Sequence, residues 1–149
     1  MDKKVSRDDK TTPRGLWTQA KSFASAADFL IGNGWKGPFD HPIYYLLGHA
    51  IELALKSFLR AKGKSLDELK GERLRHDLSA ALKQAEALDL RAYVALRPDQ
   101  EAAIQILSSY YKDKEFEYIV TGFKELPTLE ILQECANTLI SRVQVVARQ

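Results

Sequence analysis

The sequence predicts an all-α protein, an up-and-down helical bundle of about five helices, and three observations lead to this fold class. Apolar residues recur at spacings of three and four in five separate stretches. A threonine, an aspartate or a proline stands at the start of most of these stretches, as is usual at helix N-termini. Apolar residues make up 45% and charged residues 28% of the 149 positions, a balance typical of a globular domain.

The first two helices are predicted from their ends and their apolar stripes. The first begins at Pro13, because Thr12 can cap it and a proline loses no hydrogen bond in the first turn. Its stripe consists of Leu16, Ala20, Phe23, Ala27 and Leu30. The glycines and proline of residues 31–40 end this helix. The second covers about residues 40–62, with Gly63 as a left-handed cap. Its first half is apolar almost all round, so we expect it at the centre of the bundle.

The remaining three helices are predicted from the same periodicity. The third covers residues 73–88, the fourth begins near Pro98, and the fifth begins at Pro127 or Thr128. Their inward-facing residues are Leu74, Leu78, Leu82, Ala85, Leu88, Ala103, Ile104, Leu107, Tyr111, Leu129, Leu132, Ala136, Leu139, Val143 and Val146. Residues 112–126 have no helical period and predict an extended or irregular connection. Irregular connections of this length are often functional.

The chain as a whole predicts one domain. Residues 1–12 mix charges of both signs and read as a flexible tail, which leaves residues 13–149 as a single bundle. The single cysteine, Cys135, excludes an internal disulfide and is expected in the core. No signal peptide and no stretch of roughly 18 apolar residues is present, so we expect a soluble, cytoplasmic protein without a membrane partner. The net charge of +2 does not by itself indicate what kind of partner the chain binds.

His49 and Glu52 lie three residues apart in the apolar second helix, and Lys56 continues their face one turn later. In one interpretation the carboxylate orients the imidazole for acid-base chemistry or metal binding. In the other, which we favour, these side chains pair with each other or with a neighbouring helix and only satisfy polar groups near the core. Metal sites in bundles use Glu-x-x-His pairs, whereas this chain has the reverse order once. We therefore expect no metal and no cofactor.

The stretch "RLRHDL" forms a second polar cluster. Arg73, Arg75 and His76 lie at the start of the third predicted helix, and Asp77 lies in its first turn, where its charge suits the helix dipole. One interpretation is structural, because His76 and Asp77 can satisfy the N–H groups of that turn. The other is functional, because residues 56–75 hold seven basic and three acidic side chains, an excess that attracts phosphate groups.

Two tyrosines complete the candidate ligand-binding residues, which are Arg73, Arg75, His76, Lys56, Tyr111 and Tyr118. Tyr111 and Tyr118 lie beside or within the irregular connection. If their rings are exposed, they can stack on nucleic-acid bases. The alternative, which is the more frequent role of such residues, is that they belong to the core.

The run "GHAIELALKSFLRAKG" followed by "LRHDLSAALKQAEAL" resembles the HEPN superfamily, helical domains of conflict systems. The matched part covers residues 48–88. The resemblance implies a four- or five-helix bundle that dimerises, in some members with a nucleotidyltransferase antitoxin as partner. In active members it implies a metal-independent ribonuclease with an Arg-x(4–6)-His motif. None of His41, His49 and His76 has an arginine five to seven positions before it, so this motif is absent.

The resemblance and the residues together predict a HEPN-like, non-catalytic binding module. It would act as a homodimer on RNA, a nucleotide or a partner protein, in a defence or toxin-antitoxin setting. The first alternative is an enzyme, either a divergent ribonuclease or a metal-dependent hydrolase, with His49, Glu52 and His76 as its candidate catalytic residues. The second alternative is a structural dimerisation domain, which predicts a large apolar patch at residues 44–47 or 139–146.

Overall fold

The computed structural model describes residues 10–71, 74, 76–112 and 126–148. This part contains a short 3-10 helix, Leu90–Ala92, and six α-helices. The α-helices are α1 (Pro13–Gly32), α2 (His41–Ala61), α3 (Leu66–Lys70), α4 (Leu78–Ala87), α5 (Pro98–Lys112) and α6 (Leu129–Ala147). No strand occurs in the described ranges, and the predicted all-α bundle is confirmed. Residues 1–9 of the predicted tail and residues 113–125 of the predicted connection lie outside the described residues.

Helix α2 is the central helix, as its apolar sequence predicts. It contacts α1, α3, α4, α5 and α6. Twelve of its 21 residues are buried, including Phe58 with no exposed surface. A helix that is apolar on most sides must be covered on most sides, and this burial is the main source of its stability.

Polar contacts between helices fix how they run relative to each other. The hydroxyl of Ser57 in α2 donates to the carbonyl of Pro13 in α1 at 2.7 Å, and the His49 and Phe23 rings meet nearer the other end. The sequence numbers therefore rise along α1 while they fall along α2, so these helices are antiparallel. Helix α6 is also antiparallel to α1, because the Trp17 indole reaches the carbonyl of Ile140.

Most helix ends follow the capping residues in the sequence. Thr12 accepts a hydrogen bond from the N–H of Gly15 at 2.9 Å, and Thr128 accepts one from Ile131 at 3.3 Å. Gly63 has a φ of 98° and follows the end of α2, where its N–H and that of the next residue bond back to the last turn. This arrangement is a Schellman motif and needs the left-handed conformation that glycine adopts freely.

The structure differs from the prediction at one helix start and in one additional helix. The third predicted helix was expected from residue 73, but α4 begins at Leu78, because the carboxylate of Asp77 is its N-cap and accepts the N–H of Ala80 at 3.0 Å. The short helix α3 was not predicted. Its signal is the capping box of Ser65 and Glu68, in which each residue's side chain accepts the other's backbone N–H.

The hydrophobic core contains almost all of the predicted inward-facing residues. Cys135 is fully buried, as predicted. Of the predicted apolar patch at residues 44–47 or 139–146, Leu47, Leu139 and Val143 are fully buried, whereas Val145 is exposed. None of the described helices is both long and apolar enough to span a lipid bilayer.

Candidate functional site

The candidate site is a polar cluster built around the carboxylate of Glu52. Helix α2 presents His49, Glu52 and Lys56 on one face, as their spacing of three and four residues requires. His76 reaches the same carboxylate from the turn before α4, and Tyr111 reaches it from α5. We call these five residues the Glu52 cluster.

Glu52 is 2% exposed and lies among cationic or protonatable partners. Its Oε1 lies 3.3 Å from His49 Nδ1, and its Oε2 lies 3.2 Å from His76 Nδ1 and 3.6 Å from Lys56 Nζ. A buried carboxylate without such partners would lose its charge by taking up a proton. The neighbouring imidazoles and ammonium group therefore allow a negative charge to exist at this depth.

Tyr111 links His49 to Glu52 through its hydroxyl group. The hydroxyl donates to Glu52 Oε1 at 3.3 Å and lies 2.9 Å from His49 Nδ1. Because the hydroxyl proton points towards the carboxylate, the tyrosine oxygen accepts the hydrogen bond from His49. The proton of this bond is therefore on His49 Nδ1. The other ring nitrogen of His49, Nε2, is then the one left for a ligand.

Gly48 explains why Tyr111 can approach so closely. A Cβ atom at this position would lie 3.0 Å from Cδ2 of the Tyr111 ring. A glycine in the interior of a helix costs roughly 1 kcal/mol relative to alanine. At Gly48 the absence of a side chain leaves space for the ring of Tyr111, whose hydroxyl contacts His49.

His76 occupies a backbone conformation that side chains of L-residues rarely adopt. Its φ is 56°, in the left-handed region. Directly after it, Asp77 caps α4 and also accepts from the hydroxyl of Ser108 at 3.3 Å. The cap fixes the chain at Asp77, and the left-handed turn before it directs the imidazole of His76 towards Glu52. Strained residues of this kind concentrate at functional sites.

The cluster keeps unused hydrogen-bonding capacity. Glu52 Oε2 and His76 Nδ1 are within ion-pair distance, yet neither atom makes a well-aligned hydrogen bond with a described residue. Buried polar atoms are normally satisfied, so this pair is an exception. The side chains of His49 and His76 are 24% and 37% exposed, so both imidazoles reach solvent while the carboxylate does not.

The environment of Glu52 changes its pKa in two opposing ways. Burial raises the pKa of this carboxyl, while the hydrogen bond from His49 and the charges of Lys56, His76 and His49 lower it, and the net direction is downwards. The ionised form is therefore favoured at neutral pH.

We expect the Glu52 carboxylate to make the free energy of unfolding depend on pH. The pKa of Glu52 in the folded protein is below the ordinary value of 4.5. The carboxylate therefore stabilises the folded state fully above pH 4.5, and this stabilisation is lost as pH falls through the folded pKa. The groups that face it are His49, Lys56, His76 and Tyr111. Urea unfolding of wild type and Glu52→Gln between about pH 3 and pH 7 measures the difference. A difference that does not shrink towards low pH would contradict this expectation.

The structure brings together five of the residues that the sequence singled out, which are His49, Glu52, Lys56, His76 and Tyr111. Tyr111 is 4% exposed, so its ring is part of the core and is not free to stack on bases, and its hydroxyl belongs to the cluster instead. His76 does not cap the first turn of α4, where the N–H of Ala80 donates to Asp77 and the N–H of Ser79 donates to Ser108. The candidate residues Arg73, Arg75 and Tyr118 lie outside the described residues.

Little in the sequence indicates that the hydroxyl of Tyr111 belongs to this site. Tyr111 lies 59 positions after Glu52, and no local pattern connects them. The available signal was Gly48, since a glycine inside an apolar helix often marks a close approach by a neighbour. Phe23 is a second unpredicted neighbour, with its ring edge-on to His49 at a centroid distance of 4.5 Å.

Two kinds of chemistry fit this arrangement. A lysine and two partly exposed imidazoles beside one carboxylate can donate hydrogen bonds to an anion such as phosphate when the imidazoles are protonated on both nitrogens. Two imidazoles can also act as a general acid and a general base. For metal binding, no group of three His, Cys, Asp or Glu side chains within the described ranges is arranged to hold an ion.

Comparisons of the chain with protein-family models, with curated proteins and with solved structures found no match. The site therefore has to be interpreted from its own geometry.

Proposed function

We propose that this chain is a HEPN-like helical module that binds RNA through phosphate groups at the Glu52 cluster. One observation carries the proposal: two imidazoles from different parts of the chain approach a single buried carboxylate through Nδ1, and both side chains remain partly exposed. The carboxylate is hydrogen-bonded to His49 and lies within ion-pair distance of His76, which orients the outer edges of both rings towards a ligand.

The charge of the cluster supports an anionic ligand. Glu52 contributes one negative charge and Lys56 one positive charge, so the cluster is neutral when both imidazoles are neutral. Each imidazole that gains a proton adds a positive charge. With both imidazoles protonated, the cluster carries two net positive charges and can donate hydrogen bonds to phosphate oxygens.

The sequence around the cluster adds to this support. Residues 56–75 contain seven basic and three acidic side chains and connect α2 to the turn that carries His76. Such an excess attracts the RNA backbone in a salt-dependent manner. The resemblance of residues 48–88 to HEPN domains also favours RNA, and it extends the proposal to a homodimer and to a nucleotidyltransferase partner in a defence or toxin-antitoxin setting.

A ribonuclease is the second candidate function, and the convergence of His49 and His76 on Glu52 favours it. In such a reaction one imidazole takes the proton of the ribose 2′-hydroxyl, whose oxygen attacks the phosphorus. The other imidazole gives a proton to the leaving 5′-oxygen. Lys56 would stabilise the negative charge that develops on the phosphate oxygens. The reaction would yield a 2′,3′-cyclic phosphate and would need no metal.

Binding of a labelled single-stranded RNA pool across a salt series tests the proposal. We expect His49→Gln/His76→Gln to weaken binding about tenfold or more, because charge-assisted hydrogen bonds are worth roughly 1.5–3 kcal/mol. Lys56→Gln should reduce the slope of log K against log salt by about one. Lys83→Gln, at an exposed position on α4, is the matched control and should behave as wild type.

The same samples distinguish binding from cleavage. Intact RNA after incubation supports the binding module, whereas products with cyclic phosphate ends that are absent with 2′-deoxy substrate support the ribonuclease. RNA affinity that is unchanged in both cluster variants would contradict the proposed site.

A further inference from the structure

A pocket separate from the Glu52 cluster lies where the start of α1 meets the end of α6. Its volume is about 450 Å³, and it is lined by Arg14, Trp17, Gln144, Ala147 and Arg148. Small-molecule sites in proteins usually have volumes of roughly 300–1,000 Å³. None of the lining residues belongs to the Glu52 cluster, so this pocket is a separate feature of the molecule.

The pocket is positively charged, since its lining includes two arginines and, among the described residues, no aspartate or glutamate. Arg14 and Arg148 are exposed, and neither guanidinium is paired with an acidic side chain of the described part of the chain. By contrast, Arg91 and Arg97 lie within ion-pair distance of glutamates. Two guanidinium groups without acidic partners attract an anion, and phosphate suits their planar, forked geometry.

Trp17 provides a fixed aromatic wall. Its indole Nε1–H donates to the carbonyl of Ile140 at 2.7 Å, which ties the ring to α6. Lys21, one turn along α1, has its Nζ 5.3 Å from the centre of the ring and adds a third positive charge nearby. A ring that is already held in place loses little conformational entropy when a ligand packs against it. Gln144 adds an amide that can both donate and accept hydrogen bonds.

We propose that this pocket binds a nucleoside phosphate. The base packs against Trp17, and the phosphate binds between Arg14 and Arg148. A flat aromatic group beside a phosphate is the ligand chemistry that this combination of side chains recognises, because bases stack on aromatic rings and guanidinium groups bind phosphate. The ligand is either a free nucleotide or the 5′-phosphorylated end of an RNA.

Tryptophan fluorescence tests this proposal in a Trp35→Phe background. The chain has two tryptophans, so Trp17 is then the only one. We expect AMP to change the fluorescence with saturation, and adenosine and inorganic phosphate to bind more weakly. Arg14→Gln/Arg148→Gln should weaken AMP binding about tenfold or more. Arg142→Gln, an exposed arginine of α6 that does not line the pocket, should leave AMP affinity unchanged.

The absence of a saturable response to AMP, or an equal loss of affinity in Arg142→Gln, would overturn the proposal. A 5′-phosphorylated RNA oligomer that binds more tightly than AMP, and loses this advantage without its phosphate, identifies an RNA end as the ligand. The reverse order of affinities identifies a free nucleotide. The fluorescence of Trp17 reports on this pocket, and no residue of the Glu52 cluster lines it, so this test is independent of the function proposed for the Glu52 cluster.

Discussion

Replacing Glu52 with alanine is expected to lower the free energy of unfolding by about 3 kcal/mol or more at pH 7. The change removes the buried carboxylate that His49, His76 and Lys56 approach, and it leaves these partly buried side chains without a counter-charge. Removing one member of a buried ion pair typically costs roughly 3–5 kcal/mol. This loss is a large part of the stability of an average domain, which is about 5–15 kcal/mol.

Urea unfolding followed by circular dichroism measures this effect. Glu130→Ala is the matched control, because Glu130 is an exposed glutamate in the first turn of α6 and its loss should cost about 0.5 kcal/mol or less. If Glu52→Ala does not fold, Glu52→Gln keeps the shape of the side chain and should cost roughly 1–3 kcal/mol. Equal stabilities of the Glu52 and Glu130 variants would show that the cluster contributes nothing to folding.

Replacing Gly48 with leucine is the second change with a large expected effect. A Cβ atom at this position already lies 3.0 Å from the ring of Tyr111, and a leucine adds three more carbon atoms. Such overpacking typically costs roughly 1–3 kcal/mol. Because the ring must move, the hydroxyl of Tyr111 should also leave His49 and Glu52, and RNA affinity should fall together with stability.

Two further variants separate overpacking from other effects of a leucine. Gly32→Leu is the matched control, since Gly32 also lies in a helix and a Cβ atom there would meet nothing within 4 Å. Gly48→Leu should cost less in a Tyr111→Ala background than in wild type, because the obstructing ring is absent there. A Gly48→Leu protein that is as stable as Gly32→Leu would show that the helices are not packed as described.

The helices could be predicted from the sequence because their signals are local. Thr12, Pro13 and Gly63 mark their helix ends by properties of single residues, and apolar spacing identifies the buried face of each helix. The start of α4 was predicted wrongly, because the apolar stripe continues through Leu74 before the cap at Asp77. Periodicity alone does not show that His76 adopts the left-handed conformation directly before this cap.

The candidate site could be predicted in part. The shared face of His49, Glu52 and Lys56 follows from helix geometry, and the sequence already offered pairing with one another as their role. The meeting of His76 and Tyr111 with this face depends on the way α2, α4 and α5 pack together. Such contacts arise from side-chain volumes and helix crossing, which no local pattern encodes.

The most direct test of the RNA-binding proposal is a ¹⁵N NMR titration of the imidazole nitrogens with single-stranded RNA. The chain has three histidines, and His41 is an internal control because it lies outside the Glu52 cluster. If the cluster binds phosphate, the Nε2 resonances of His49 and His76 will shift with saturation, while those of His41 remain in place. Shifts confined to His41, or no shift in any histidine under conditions where RNA is bound, would contradict the proposed site.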